Sequence, residues 1–420
     1  MYPVGLVSAR RFVLVLTLIA AVGFVGRAVY VLAVTNTQNA TYDELYYRTE
    51  AATIAAGEGF ELPDVYGFRN LGEGEHPPLT ALLLTPAAVL TDNNDVAMRL
   101  TVAFAGAGVV VLIGLIAREI AGRRAGLFAA GVAAVYPNLW VTDGLLLPET
   151  FATLATAAAV LCAYLLIRQP TWLKAAALGA ACALAMLTRG ELMLLVLLLA
   201  LPVVLTISGL TFVRRLKLAV VVAVAAALVI APWQAYMVSQ FEKPMFLSYG
   251  DAGVVAGANC DPTYSGPLIG FWVGLCKRYG ELPGDPSVEA DRKRRMGRQY
   301  MGDNLERLPL VIPARVGRTW GAYRPFQMAK FAEAEGRPRW ISLTGWGIYW
   351  VLMGFAIAGV VILRRRRVAL IPLVAAAVIV TIVGAVFYGL VRFRAPAEVS
   401  IVVLAAVALD AAWARRFSPA

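Results

Sequence analysis

The sequence predicts an all-α protein that crosses a membrane many times. Three observations carry that prediction: 60% of the 420 residues come from the set AVILMFWYC, only 15% are charged, and mean hydropathy is +0.69. Water-soluble domains do not approach this combination. The 38 Lys and Arg against 27 Asp and Glu give a formal charge of +11. In so apolar a chain that surplus belongs to cytoplasmic loops rather than to a nucleic-acid-binding face, so no nucleic-acid partner is expected. One histidine, His76, and four cysteines, Cys162, Cys182, Cys260 and Cys276, offer no zinc-site spacing and argue against haem, iron–sulfur or zinc chemistry.

The first apolar run, 12–34, follows Arg10 and Arg11, has the ~20 residues a bilayer needs and lacks a small-residue cleavage site. It reads as a retained helix with its N-terminus inside. Further apolar runs lie at 97–117, 125–141, 146–167, 172–188, 191–209, 218–238, 341–363, 368–390 and 397–414, which makes ten spans. Arginine placement supports that number, because every second junction is basic: Arg118, Arg123 and Arg124; Arg168 and Lys174; Arg214, Arg215 and Lys217; Arg364 to Arg367; Arg415 and Arg416. Residues 35–96 and 239–340 then fall on the opposite, outer side, where their Gly, Pro and charged residues find water. The short apolar run 76–90 reads as a helix at the outer surface with Pro77 and Pro78 in its first turn. Counting it as a span would invert every later loop. The chain divides into a transmembrane catalytic module at 1–238, an outer-face segment at 239–340 and C-terminal helices at 341–420.

Chemistry concentrates on the outer side. Asp43 and Glu44, directly after the first helix, are adjacent carboxylates at a membrane–water boundary. One can act as a general base while its neighbour holds structure, or both can decorate a solvated helix start. Glu75 and His76 sit before Pro77-Pro78-Leu79, where the histidine can meet a phosphate or a sugar hydroxyl, or serve as an interface residue. Arg189, Arg392 and Arg394 lie at outer helix ends, suited to bidentate contact with a lipid phosphate or to pairing with Glu191 and Glu398. Asp143 and Glu149 flank another outer turn, and Glu149 enters the membrane-embedded part of its helix. Cys260 and Cys276 share the second outer segment; they form a disulfide if that side is oxidising, or stay as two thiols.

The order of a first helix, Asp43-Glu44-x-x-Tyr47, His76-Pro77-Pro78-Leu79, Ala97-Met98-Arg99-Leu100-Thr101 and the basic stretch from Arg118 to Ala125 resembles the GT-C superfamily of integral-membrane glycosyltransferases. Within it the sequence is most similar to the family 39 and 83 group of protein O-mannosyltransferases and lipid A aminoarabinose transferases. The likeness covers about residues 10–200 and returns at Arg392-Phe393-Arg394-Ala395-Pro396-Ala397-Glu398; residues 239–340 do not match. It implies a GT-C-like bundle of about ten transmembrane helices with outer-face loops and juxtamembrane helices. It further implies transfer of a sugar from a polyprenyl-phosphate carrier to a glycan, lipid or protein acceptor, with inversion, at the extracytoplasmic face of the plasma membrane. The acidic pair of the group falls on Asp43 and Glu44, with Asp43 at the position of the base. Aminoarabinose enzymes carry Glu-Lys-Pro-Pro-Leu where this chain has Glu75-His76-Pro77-Pro78-Leu79, which leaves the cationic work to His76 and argues against aminoarabinose as the sugar.

Such a displacement needs one carboxylate to take the acceptor proton and positive charge for the departing phosphate. No cofactor is required by this scheme, and no strong metal site stands in the sequence, although Asp43, Glu75 and His76 could hold a divalent ion if they meet in space. The rival from another class is a transporter or lipid flippase. It predicts paired repeats and helices broken near the bilayer midplane, whereas here no internal duplication is seen and the polar residues gather at outer helix ends and in the two outer segments.

Overall fold

A computed structural model describes residues 8–35, 41–60, 74–277 and 285–417. Parts of both outer segments, 36–40, 61–73 and 278–284, therefore lie outside the described residues. Among the described residues every regular element is helical. In chain order they are α1 (Ala9–Ala33), α2 (Tyr42–Ala55), α3 (Leu79–Thr91), α4 (Asp95–Ala121), α5 (Arg123–Val135), α6 (Pro137–Trp140), α7 (Glu149–Arg168), α8 (Trp172–Thr188), α9 (Leu201–Thr206), α10 (Phe212–Gln240), α11 (Asp251–Ala258), α12 (Asp261–Tyr264), α13 (Pro286–Asp303), α14 (Leu308–Thr319), α15 (Pro325–Ala334), α16 (Arg339–Arg365), α17 (Ile371–Val386) and α18 (Ala395–Phe417). α1, α4, α7, α10, α16 and α18 with its lead-in turn are long and apolar enough to cross a membrane; α3, α8, α17 and the 190–206 stretch are shorter apolar pieces.

Each apolar run of the sequence falls on a helix or a broken helix, with a few boundaries moved. The run expected at 125–141 stops at Val135, because Tyr136 is extended ahead of Pro137, and α6 starts afresh. The run expected from 146 begins at Glu149, after a buried turn. The run at 191–209 breaks into a 3-10 turn, Gly190–Met193, a π-helical turn, Val196–Ala200, and α9; Pro202, near the start of α9, lacks the N–H that an unbroken ladder would use. Pro78 caps α3 from outside, so the two prolines precede the first turn instead of occupying it.

Packing follows the small-residue logic of membrane bundles. α1 buries Phe12, Leu16, Ala20, Gly23, Arg27 and Tyr30, three or four residues apart, and turns Val13, Leu14, Leu18, Val22 and Val25 outward. α16 lies so close to α18 that a Cβ on Gly359 would run into the Leu404 carbonyl. The basic junctions share one end of the bundle. There Arg168 meets Glu119 at 2.9 Å, Arg124 pairs with Asp410, Arg214 lies over Trp172 at 4.0 Å, and Arg215 donates to the Leu205 carbonyl at 3.0 Å. The opposite end carries α2, α3 and the second outer segment. That segment is tied back by backbone pairs from Tyr249 N to Gly74 O and from Gly250 N to Glu75 O, both 3.0 Å.

Candidate active site

The site grows from the N-terminus of α2. Thr41 accepts from the Glu44 amide at 3.4 Å and donates its own amide to the Glu44 carboxylate at 3.1 Å, a reciprocal capping box. The same carboxylate accepts from Arg99 Nη1 at 2.8 Å and from Leu146 N at 3.1 Å, and Arg99 also donates to the Gly144 carbonyl at 2.5 Å. Glu44, buried, therefore locks α2 to α4 and to the turn before α7. A parallel lock joins α1 to that turn: Arg27 Nε meets Asp143 at 2.5 Å, and Thr150 donates to the other Asp143 oxygen at 2.7 Å. Burial raises the Asp143 carboxyl above its usual range even though Arg27 opposes the shift.

With Glu44 held inward, Asp43 faces the other way. Its carboxylate accepts from Arg392 Nη2 at 2.8 Å and keeps 26% of its side-chain surface exposed. Arg392 projects from a 3-10 turn, Val391–Arg394, that leads into α18. Its Nε stands 3.6 Å from Glu149 and 3.5 Å from Glu335. Arg189 Nη1 meets the same Glu149 oxygen at 2.6 Å, its Nε meets Glu191 at 2.6 Å, and its guanidinium covers the Phe393 ring at 4.9 Å. Arg337 pairs with Glu335. The result is one connected cluster of four carboxylates and three guanidiniums, drawn from α2, α7, the 189–191 turn, the end of α15 and the turn before α18. Glu149, 1% exposed, leaves its second oxygen with no partner among the described residues.

The structure thus brings together Asp43, Glu149, Arg189 and Arg392. It sets the other selected residues apart from this charge cluster. Arg394 is buried, donates to Glu398 at 2.7 Å and lies 3.6 Å over the Tyr349 ring, while Tyr136 and Asn138 also donate to Glu398. It holds α18 against α6 and α16 through Nε, while its Nη1 has no partner among the described residues. Glu44 likewise serves the lock, not the cluster. Glu75 accepts from Tyr42 at 3.1 Å. His76 packs edge-on to Tyr46 and stacks on Tyr47, with ring centroids at 4.8 and 5.3 Å, and its buried Nε2 has no partner among the described residues. Asp43, Glu75 and His76 do not converge; among the described residues no group of three or more His, Cys, Asp or Glu is placed to hold a metal ion. Cys260 and Cys276 form a disulfide.

Two members of the cluster and one buried acid outside it escaped the sequence. Glu335 and Arg337, in the unmatched outer segment, reach the cluster only through tertiary folding. Glu50 lies two turns along α2 from Asp43, fully buried; burial pushes its carboxyl up to about 8, opposed by a hydrogen bond from Tyr46 at 3.4 Å.

Comparison with known proteins places this architecture. Residues 75–236 match the family described as dolichyl-phosphate-mannose-protein mannosyltransferase. No curated protein matches the chain by sequence. Among solved structures it superposes on the oligosaccharyltransferase AglB of Archaeoglobus fulgidus in complex with an inhibitory peptide and a dolichol-phosphate, with TM-score 0.60, 16% identity, 97% of this chain and 52% of that one. The apo form of the Archaeoglobus fulgidus oligosaccharyltransferase gives TM-score 0.60 at 15% identity, covering 98% and 51%. ArnT from Cupriavidus metallidurans bound to undecaprenyl phosphate gives 0.45 at 18%, covering 96% and 78%. The chain spans about half the length of the archaeal enzyme it matches. It is a multi-pass membrane protein with the fold of the GT-C glycosyltransferases.

Proposed function

We propose that this chain is a glycosyltransferase that moves a sugar from a polyprenyl-phosphate carrier to a glycan, lipid or protein acceptor at the extracytoplasmic face of the plasma membrane, with inversion. The observation that carries the reading is the Asp43–Arg392 pair, a partly exposed carboxylate held by a guanidinium at 2.8 Å. Asp43 Oδ takes the proton of the acceptor hydroxyl as its oxygen bonds to the anomeric carbon; the bond from that carbon to the carrier phosphate breaks, and the phosphate leaves with the electron pair. Arg392 and Arg189 supply positive charge where the leaving group gains negative charge. That guanidinium charge makes a metal ion unnecessary in this scheme, so transfer is expected to survive chelation. A dolichol-linked phosphate in both the matched family's description and the archaeal complex supports the carrier class. The face is supported by the basic junctions gathered at the opposite end and by the Cys260–Cys276 disulfide, which suits an oxidising side.

The test is transfer from a panel of labelled polyprenyl-phosphate sugars to a membrane extract by the protein in nanodiscs. Asp43→Asn should lower kcat by about 10² to 10⁴ at unchanged melting temperature. Glu44→Gln should instead destabilise the fold by about 3–5 kcal/mol, because it strands the buried Arg99. Wild-type turnover in a folded Asp43→Asn protein would remove Asp43 as the base.

A further inference from the structure

Among the described residues, two arginines of α14 stand out from the other charges. Arg315 and Arg318 are 1% and 0% exposed, and among the described residues neither is ion-paired with a carboxylate. Their hydrogen bonds go almost entirely to main chain. Arg315 Nη1 donates to the carbonyls of Ala385 and Val386 at the outer end of α17, at 3.4 and 3.1 Å; its Nη2 donates to the Ala258 carbonyl at 2.7 Å and to Asn259 at 3.1 Å. Arg318 Nε donates to the Ile269 carbonyl at 2.7 Å and its Nη2 to the Pro267 carbonyl at 2.9 Å. Burial lowers both guanidiniums, Arg318 to about 10, with the nearby Tyr264 and Tyr323 opposing the shift. A buried cation with no counter-ion is costly, and a hydrophobic side chain would fill the space without that cost. What only a guanidinium offers is a planar fork of donors reaching several carbonyls on different segments at once.

Those segments lead to Arg392. The loop held by the fork continues through Gly270, whose carbonyl accepts from Gly389 N at 2.8 Å. Gly270 adopts a φ of +74°, and a Cβ on Gly389 would run into the Arg315 carbonyl, so both backbones lie directly on α14. The next loop residues, Phe271 and Trp272, pack on Tyr388 with centroids at 6.4 and 6.2 Å, and Tyr388 packs on Phe393 at 4.7 Å. Residues 385–393 are thus gripped by α14 at one end and by the disulfide-closed loop along their length. Arg392 reaches Asp43 from the other end of that stretch.

We propose that Arg315 and Arg318 are positioning residues for Arg392, setting the 385–393 segment through the loop closed by Cys260–Cys276, so that the guanidinium meets Asp43. This rests on the glycosyltransferase reading only where turnover is the readout; the mechanical coupling does not. Without the fork the segment keeps its covalent path but loses the register that aims Arg392. Small misplacements of a charged group cost rate more than they cost affinity when that group acts on developing charge.

The experiment compares wild type, Arg315→Met, Arg318→Met, the Cys260→Ser/Cys276→Ser double variant and Asp43→Asn in nanodiscs. It measures amide deuterium uptake by mass spectrometry and steady-state sugar transfer. The expected result is faster exchange confined to residues 258–271 and 385–393 in the first three variants, with kcat down by about 10- to 100-fold and donor KM changed far less. Asp43→Asn should lose turnover with wild-type exchange. If the methionine variants fail to fold, Arg318→Lys, which keeps charge but not the fork, and the double-serine variant carry the test. Wild-type exchange and kcat over 385–393 in any folded arginine variant overturns the proposal. Faster exchange in those variants together with full transfer by Asp43→Asn upholds the coupling and removes the base assignment instead.

Discussion

Asp43 and Glu44 share a peptide bond and little else. One carboxylate is consumed by a capping box and Arg99, the other stays partly open against Arg392. The signal that separates them was present in the sequence, since Thr41-x-x-Glu44 is the spacing of a capping box and assigns Glu44 to the helix start. Read that way, the acidic pair resolves into one structural and one available acid. Glu50 is the opposite case. Nothing in its local sequence marks it, and only burial between α2 and α3 raises its carboxyl to about 8. Because the folded value lies above the unfolded one, Glu50 binds its proton more tightly in the native state. Its contribution is complete below about pH 4.5 and is lost as pH rises through 8, with a slope of up to about 1.4 kcal/mol per pH unit. Glu50→Gln should flatten that slope, leaving the variant more stable than wild type above pH 8 in melting scans across pH 4–9. An unchanged slope would mean that the native carboxyl is ionised.

At the scale of elements, hydropathy located the helices because lipid-facing composition is imposed over whole turns, as in the exposed valines and leucines of α1. It misjudged ends wherever a single residue decides them, as at Pro137, Pro202 and Pro78. It was silent on contacts between elements, which depend on one missing side chain at a crossing. Gly359 is such a point. Gly359→Ile should push α16 away from the Leu404 carbonyl and destabilise the bundle by about 1–3 kcal/mol or more, read as a lower melting temperature in detergent. An unchanged melting temperature would mean that the two helices separate without cost. The charge cluster follows the same division. Asp43, Glu149, Arg189 and Arg392 were legible because each stands at an outer helix end, whereas Glu335 and Arg337 sit in a soluble-looking stretch whose destination depends on how α15 docks on α16.

For the whole molecule, the alternation of basic junctions was legible from arginine positions alone, and the ion pairs at 119–168 and 124–410 gather those junctions at one end. With the site on the extracytoplasmic side, a membrane-impermeant maleimide should label Glu242→Cys in intact cells and Arg365→Cys only after lysis. The reverse pattern would put the site in the cytoplasm. The native cysteines are either disulfide-bonded or within the helices α7 and α8, which keeps the background low.

The Asp43–Arg392 contact joins residues 349 positions apart, one just after the first span and the other just before the last. Helices that enter the membrane one after another leave this pair unmade until residue 392 arrives, and no earlier insertion intermediate possesses it. On the proposed reading, a nascent chain halted anywhere before residue 392 holds Asp43 without the guanidinium that meets it, so the pair separates insertion of the acid from completion of the site.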